Sequence, residues 1–159
     1  MLAAVSMNTL TATITEKKKK TSIDVSTAVS SVTSNPWGSL DDNTRRRLHR
    51  LTLRDGYFRY YLNYYKDKNR FHVFTAWAGD EPIACLWLEW TKPGQTALCG
   101  VYVKKKYRRN GIGTLLLDHA TAQFPKIRFR TYHWNSSSRA FFLQNKKQRD
   151  HDIVCIKTE

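Results

Sequence analysis

Two glycines and a cluster of cations between residues 101 and 120 form the clearest site for chemistry in this chain. The sequence there is VYVKKKYRRNGIGTLLLDHA, with Arg108-x-x-Gly111-x-Gly113 at its centre. Glycine lets a backbone turn tightly and brings N–H groups close to a ligand. The first turn of a helix adds unpaired N–H donors and the positive end of the helix dipole. We therefore predict a cradle for a phosphate or pyrophosphate, surrounded by five cations: Lys104, Lys105, Lys106, Arg108 and Arg109.

Two other phosphate-binding loops do not fit this sequence. A P-loop needs Lys and Ser or Thr directly after its last glycine, whereas Gly113 is followed by Thr114 and Leu115. A dinucleotide fingerprint needs a third glycine at position 116, which is Leu116. It also needs an acidic residue about 20 positions further on, where the chain reads IRFRTY. Both nucleotide-binding classes are therefore excluded.

The remaining pattern resembles the cofactor motif of the GNAT superfamily of acyl-CoA-dependent N-acyltransferases. That motif is a hydrophobic strand, a short basic or polar run, and Gln/Arg-x-x-Gly-x-Gly/Ala at the start of a helix. The resemblance implies acetyl-CoA as acyl donor, a pantetheine arm on the strand backbone and a pyrophosphate on the turn, and it implies no metal. The cofactor-binding residues that it implies are Val101, Tyr102, Val103, Arg108, Arg109, Asn110, Gly111, Ile112, Gly113 and Thr114.

A later segment resembles a second GNAT motif, in which a strand is followed by Asn, small residues and a helix. Asn135 occupies the Asn position, so its amide is expected to contact the pantetheine arm, although capping of the helix would equally satisfy it. The Tyr that often protonates the CoA thiolate in this superfamily corresponds to Phe142. The usual positions of an acidic base, early in the strand 96–103 and at Arg130, hold no acid.

Three residues are left as candidates for proton transfer. His133 is the first candidate for the base, because an unperturbed histidine has a pKa near 6.5 and this one ends the strand beside the cofactor. Tyr132 is a candidate proton donor, and Glu89 is a second candidate base. Each also fits a structural role in packing or at the surface. A positioned base typically contributes about 10²- to 10⁴-fold in rate, so its absence slows such a reaction without abolishing it.

Alternation along the strand 127–133 separates its side chains into two sets. Arg128, Arg130 and Tyr132 share one face, and Ile127, Phe129, Thr131 and His133 share the other. Tyr132 and His133 are therefore not expected to face the acceptor together. If the arginine face lines the acceptor groove, the acceptor carries negative charge nearby.

The remaining pattern predicts the elements that position these residues. A helix is expected from an N-cap at Ser39 to about Leu53, and a second over the aromatic stripe 57–65. Strands are expected at 71–79, 83–90, 96–103, 127–133 and 153–157, with helices at 113–123 and 136–144. This order predicts an α/β (α+β) fold, with a GNAT-like, central mixed and mostly antiparallel sheet flanked by helices.

The chain divides into a tail and one domain in this interpretation. Residues 1–34 are rich in Ser, Thr, Ala and Val and contain the lysine run 17–20, which is typical of a disordered tail. Residues 35–159 then form one GNAT-like acetyltransferase domain, long enough for a core of its own. No signal peptide, transit peptide or membrane span is expected, and three scattered cysteines favour a reducing cytoplasm.

The net charge is +14, and residues 35–159 carry most of it, with 23 basic and 11 acidic residues. Such a surface favours an acidic partner, which includes nucleic acid, an acidic protein and the polyanionic cofactor itself. We expect an N-acetyltransferase that transfers an acetyl group from acetyl-CoA to a primary amine. The alternative is an inactive or weakly active GNAT fold that acts as a basic module binding nucleic acid or protein. The acceptor and the oligomeric state are left open by the sequence.

Overall fold

A computed structural model describes residues 24–53, 68–92, 95–124, 127–132, 135–146 and 153–156. Within these ranges, six strands form one sheet: β1 Ser31–Pro36, β2 Phe71–Ala78, β3 Glu81–Lys92, β4 Gln95–Val103, β5 Ile127–Tyr132 and β6 Ile153–Ile156. The α-helices of the same ranges are α1 Val25–Ala28, α2 Asp42–Leu51, α3 Ile112–Gln123 and α4 Ser136–Lys146. Short 3₁₀ turns lie at Trp37–Ser39, Lys68–Arg70 and Lys105–Tyr107.

The strands follow one another in chain order across the sheet. Each of the first three neighbouring pairs, from β1 to β4, is antiparallel. The β4–β5 and β5–β6 pairs are parallel, as their crossover helices α3 and α4 require. The predicted mixed, mostly antiparallel sheet flanked by helices is therefore confirmed.

The N-terminal edge of the sheet differs from the prediction. Ser31–Pro36 pairs with β2 from Ser31↔Trp77 to Pro36↔His72, so the sheet begins before residue 35 and includes residues that the sequence analysis gave to the tail. The sequence did not indicate this strand because its side chains are mostly small and polar, as is typical of an edge strand. Residues 1–23 lie outside the described part.

The first long helix also begins later than predicted. Asp41 is its N-cap, because the Asp41 carboxylate accepts a hydrogen bond from the Thr44 N–H at 2.9 Å. Ser39 belongs to the preceding 3₁₀ turn, where its hydroxyl donates to the Pro36 carbonyl at 2.9 Å. The helix ends at Leu51 rather than Leu53. The aromatic helix predicted over 57–65 lies outside the described residues.

The sheet separates two hydrophobic clusters. On one face, α3 and α4 pack on the strands, and Leu116, Leu117, Phe129 and Phe142 belong to this larger cluster. On the other face, α2 and the turn Trp37–Ser39 pack on β2 and β3, and Leu48, Leu51, Phe71 and Trp87 belong to the smaller cluster. We call these the α3 face and the α2 face. No described helix is long and apolar enough to cross a membrane.

Strands β4 and β5 separate partway along their length. Their pairing comprises Thr96↔Ile127, Ala97↔Arg128 and Leu98↔Phe129, and it stops there. On its other side, β4 stays paired with β3 as far as Ala84↔Val103. A bulge in the β3–β4 ladder leaves Cys99 as the extra residue, between Leu88↔Leu98 and Trp87↔Gly100. The edge of β4 that points towards β5 therefore has no partner in β5 beyond Leu98.

Candidate functional site

The predicted anion cradle is a tight turn with two left-handed residues. Arg109 has φ 68° and Gly111 has φ 79°. Glycine reaches this conformation without strain, whereas a side chain such as that of Arg109 is uncommon there. Gly111 is the N-cap of α3 and no side chain caps that helix. Its first intrahelical bond runs from the Leu115 N–H to the Gly111 carbonyl at 2.9 Å, so the N–H groups of the preceding helical residues point out of the helix.

Side chains of the turn itself hold this geometry. The Arg108 Nε donates to the Val103 carbonyl at 2.8 Å, which ties the turn to the end of β4. The Asn110 Nδ2 donates to the Tyr107 carbonyl at 3.2 Å. The Arg108 backbone N–H donates to the Lys105 carbonyl at 3.3 Å. This turn already uses the Arg108 N–H, and a contact between that group and a phosphate stays a prediction.

The cations around the turn fall into two groups. Lys104 forms an ion pair with Glu81, and the hydrogen bond from Lys104 lowers the pKa of the Glu81 carboxyl below its usual value. Lys104 is thus partly neutralised and holds the ends of β3 and β4 together. The other four cations have exposed side chains beside the turn: Lys105, Lys106, Arg108 and Arg109. A positive surface therefore surrounds the uncapped start of α3.

The unpaired edge of β4 leads directly into this turn. Val101 and Val103 pack against the α3-face cluster, whereas Tyr102 packs against the α2-face cluster. The Arg108 guanidinium carbon lies 5.7 Å from the centroid of the Tyr102 ring. No described strand pairs with the β5 side of this strand beyond Leu98, so its backbone groups there have hydrogen-bonding capacity that β3 and β5 do not use. The strand edge beside the gap is thus followed directly along the chain by the turn before α3.

Phe141 is a site residue that the sequence analysis did not identify. A Cβ atom placed on Gly113 would lie 3.1 Å from the Phe141 Cε2 and 3.7 Å from the Val101 Cγ1. The ring therefore covers the start of α3 at the point where it meets β4. The resemblance to the second motif indicated the neighbouring residue, Phe142. The spacing of residues in the sequence does not show which of the two phenylalanines contacts α3.

Phe142 belongs to the core instead. It is 2% exposed, and its ring stacks on that of Phe129 with centroids 5.0 Å apart. Phe142 therefore fills the hydrophobic core on the α3 face, over Phe129. The buried, stacked position of this ring accounts for a side chain without a hydroxyl at residue 142.

Asn135 caps α4. Its Oδ1 accepts a hydrogen bond from the Ser138 N–H at 3.0 Å, and its carbonyl accepts the Arg139 N–H at 3.0 Å. The capping alternative that the sequence left open is thus present. A contact between the Asn135 side chain and a cofactor stays a prediction.

Of the three candidates for proton transfer, Glu89 has a side chain in the described part of the chain. Glu89 lies on β3, is 3% exposed, and pairs with the Arg70 Nη2 at 3.5 Å. Arg70 also donates to the Trp90 carbonyl from Nε at 3.3 Å and from Nη2 at 3.1 Å. This network gives Glu89 a structural role. The Tyr132 backbone lies in β5, but its side chain lies outside the described part, as does all of His133.

Comparisons with known proteins agree with this geometry. The sequence profile described as "Acetyltransferase (GNAT) family" matches residues 41–145. Among curated protein sequences, none matches the chain.

Similar solved structures include the PaiA N-acetyltransferase of Thermoplasma acidophilum in complex with coenzyme A, 17% identical, with a TM-score of 0.55 over 72% of this chain and 88% of that one. They also include an aminoglycoside acetyltransferase from an uncultured soil metagenomic sample, 14% identical, with a TM-score of 0.58 over 81% and 95% of the two chains. A third is the ribosomal-protein-S18-alanine N-acetyltransferase of Escherichia coli, 15% identical, with a TM-score of 0.55 over 72% and 76%.

At such identities the structures show a shared fold, and the profile match covers more than half of the sequence. The chain therefore belongs to the GNAT acetyltransferase family.

Proposed function

We propose that this protein transfers the acetyl group of acetyl-CoA directly to a primary amine. One observation carries the proposal: the pairing of β4 with β5 stops at Leu98, and the unpaired edge of β4 runs into the uncapped N-terminus of α3. An extended, amide-containing arm can add to a strand edge by hydrogen bonding. A pyrophosphate suits a helix N-terminus because of the N–H donors and the positive dipole there.

The chain's own residues have defined parts in this arrangement. The backbone of Val101–Val103 would bind the pantetheine amides, and the backbone N–H groups from Arg109 to Thr114 would bind the pyrophosphate. The exposed side chains of Lys105, Lys106 and Arg109 would attract the remaining phosphate charge. The glycine at 113 fits this role, since a Cβ there would already press against Phe141.

Rate enhancement in this site would come chiefly from positioning. The amine would attack the thioester carbonyl carbon, the thiolate of CoA would leave, and the amine would lose one proton to water or to a base. Holding two reactants in a near-attack geometry can supply about 7–11 kcal/mol of the barrier. The pairing of Glu89 with Arg70 favours positioning over general base catalysis by Glu89. His133 and Tyr132 stay proposals for the base and the acid.

Release of CoA from acetyl-CoA in the presence of amines tests this function. The full chain would be mixed with acetyl-CoA and a panel of amines, and free thiol would be measured together with the mass of each amine. We expect at least one amine to gain an acetyl group at a rate proportional to enzyme concentration. Thiol release that is independent of every amine, or no thiol release, would contradict the proposal.

A second candidate function is binding of nucleic acid through the basic surface. It is favoured by exposed arginines on α2, at Arg46 and Arg50, which lie outside the cradle. Retention on nucleic acid that weakens steeply with salt and is unaffected by acetyl-CoA would support it. An affinity that does not change with salt would argue against it.

A further inference from the structure

The two faces of the gap between β4 and β5 differ in how they are filled. On the α3 face, Phe129 is 0% exposed and lies under Phe142, which stacks on it. Leu116 and Leu117 of α3 complete this cluster and are fully buried. An acceptor cannot approach through a packed hydrophobic core. It must therefore reach the base of the gap from the α2 face.

Arg128 occupies the α2 face at the base of the gap. It directly precedes Phe129, the last β5 residue that pairs with β4, and the alternation of a strand directs it away from the α3 face. Its side chain is exposed, whereas those of Ile127 and Phe129 are buried. Helix α2 packs over β3 on this face. The Arg128 Cα thus lies one residue, about 3.3 Å along the strand, from Phe129, where the pairing with β4 ends.

Among the described side chains at the base of the gap on the α2 face, Arg128 supplies an exposed positive charge. Arg128 has no hydrogen bond or ion pair with another residue in the described part of the chain. Glu89 is in the same row of the sheet, through Ala97, with which both residues pair. Its carboxylate is buried and already neutralised by Arg70. Neither β4 nor β5 contains an acidic residue, so these strands offer no counter-charge to a polycationic acceptor.

The kind of amine is restricted by the acid–base properties of the site. A lysine side chain, with a pKa of about 10.4, is only about 0.04% neutral at pH 7, whereas a peptide α-amino group, with a pKa of about 7.7–8.0, is roughly 10–15% neutral. An α-amino group therefore reacts with less help from a base, and the candidate base Glu89 is held in an ion pair.

We propose that the acceptor is the α-amino group of a peptide or protein whose first or second residue is Asp or Glu, and that Arg128 binds that carboxylate. This inference rests on the proposed acetyl transfer and specifies its acceptor. Arg128 determines specificity here, because a charge-assisted bond to the acceptor carboxylate orients the amine at the base of the gap. Polyamines and aminoglycosides are poor acceptors for the same reason.

Peptides that differ in one residue test the proposal. Peptides beginning with Ala-Glu, Ala-Gln and Ala-Lys would be compared with an N-terminally blocked peptide that carries one lysine, and kcat/KM would be measured for each. The variants would be Arg128→Glu and, as a matched change of charge on the exposed side of α2, Arg50→Glu. Binding of acetyl-CoA by each variant would be measured separately.

For the unaltered chain we expect kcat/KM for the Ala-Glu peptide to exceed that for Ala-Gln by about 10- to 100-fold, the usual range for a hydrogen bond to a charged group. Arg128→Glu should remove this preference and favour Ala-Lys, with acetyl-CoA affinity unchanged. Arg50→Glu should keep the Ala-Glu preference.

Two results would overturn the proposal in distinguishable ways. If the enzyme acetylates lysine or polyamines best and Arg128→Glu leaves the order of acceptors unchanged, the acceptor assignment is wrong and acetyl transfer stands. If acetyl-CoA binds but no amine of any class is acetylated, the transferase function fails and the acceptor assignment fails with it.

Discussion

The Phe141 ring lies against the backbone of Gly113, so closely that a methyl group at residue 113 would be 3.1 Å from its Cε2. This contact joins α4 to the first turn of α3, beside the strand edge that would hold the cofactor. Glycine at 113 therefore suits the packing between these helices, because the Phe141 ring would have to move by a few tenths of an ångström to admit a methyl group. The contact connects the two sequence motifs, which are separated by about 20 residues.

Gly113→Ala should weaken acetyl-CoA binding by about 10-fold, since relief of the contact moves either the ring or the first turn of α3. Overpacking of this kind typically costs about 1–3 kcal/mol. Phe141→Leu combined with Gly113→Ala should recover much of the lost affinity, because the smaller side chain makes room for the methyl group. Isothermal titration of the single and double variants measures this coupling. Equal affinities in all variants would show that the contact does not shape the cradle.

Two glycines with positive φ allow the effect of backbone strain on stability to be separated from an effect on acetyl-CoA binding. Gly111 (φ 79°) begins α3, and Gly79 (φ 58°) lies in the turn between β2 and β3, where a Cβ would meet nothing within 4 Å. Substitution of either by Ala should cost about 1–2 kcal/mol of stability through backbone strain. Gly111→Ala should also reduce acetyl-CoA affinity, whereas Gly79→Ala should not. Thermal unfolding with and without acetyl-CoA distinguishes the two effects, and equal loss of affinity in both variants would contradict the assigned cradle.

His72 has a hydrogen-bond arrangement that favours one tautomer. The Ser34 hydroxyl donates to the Gln123 Oε1 at 2.5 Å and lies 2.7 Å from the His72 Nε2. With the Ser34 hydrogen directed to Gln123, the tautomer protonated on Nε2 donates to the Ser34 oxygen and leaves Nδ1 as an acceptor. Nδ1 is buried without a partner among the described residues, in a ring that packs on Phe74 and Phe124. A second proton on this ring would have no acceptor.

Stability should consequently fall as the solution is acidified through the histidine range. Burial lowers the pKa of His72, so the unfolded chain binds this proton more tightly than the folded one. The contribution of neutral His72 to the free energy of unfolding is fully present above about pH 6.5, the ordinary pKa of histidine. Below that pH the free energy of unfolding decreases by at most about 1.4 kcal/mol per pH unit. Urea unfolding at pH 7.5 and 5.5 should show a smaller difference for His72→Gln than for the unaltered chain. The same difference in both would refute this assignment.

The Gly100 backbone lies against the indole ring of Trp87. A Cβ at residue 100 would overlap the six-membered ring of Trp87, which is 2% exposed. Gly100→Ala should destabilise the fold by about 1–3 kcal/mol, or roughly 2–12 °C in Tm. Trp87→Phe should cost less in the Gly100→Ala background than alone, because the smaller ring tolerates the methyl group. Additive losses in the double variant would show that the two residues do not interact.

Much of the fold could be predicted because its strands and helices carry strong local signals. The apolar runs of β2 and β3 flank Gly79-Asp80, and the helix after Gly111 has an apolar run at Leu115–Leu117. Their bounds agree with the structure within about two residues. Strand β1 was missed because Ser31–Pro36 contains a single large apolar residue, Val32, and its pairing with β2 is a tertiary interaction.

The candidate site was predictable only where sequence determines backbone conformation. Gly111 and Gly113 indicate the turn, and the apolar residues after them indicate the helix. Local sequence does not indicate the residue at which β4 and β5 stop pairing. It also does not indicate the extra residue Cys99 in the β3–β4 ladder. The choice between Phe141 and Phe142 depends on the rotation of α4 relative to β5, which local spacing does not specify.

Binding of acetyl-CoA tests the central claim most directly, by a thermal-shift titration with CoA and ATP as controls. At about 100-fold over Kd, binding adds roughly 2.7 kcal/mol to stability, or about 5–10 °C in Tm for a chain of this size. We predict saturable shifts with acetyl-CoA and CoA and none with ATP. No shift at millimolar acetyl-CoA, or an equal shift with ATP, would contradict the assignment of the β4–β5 gap and the α3 N-terminus as an acyl-CoA site.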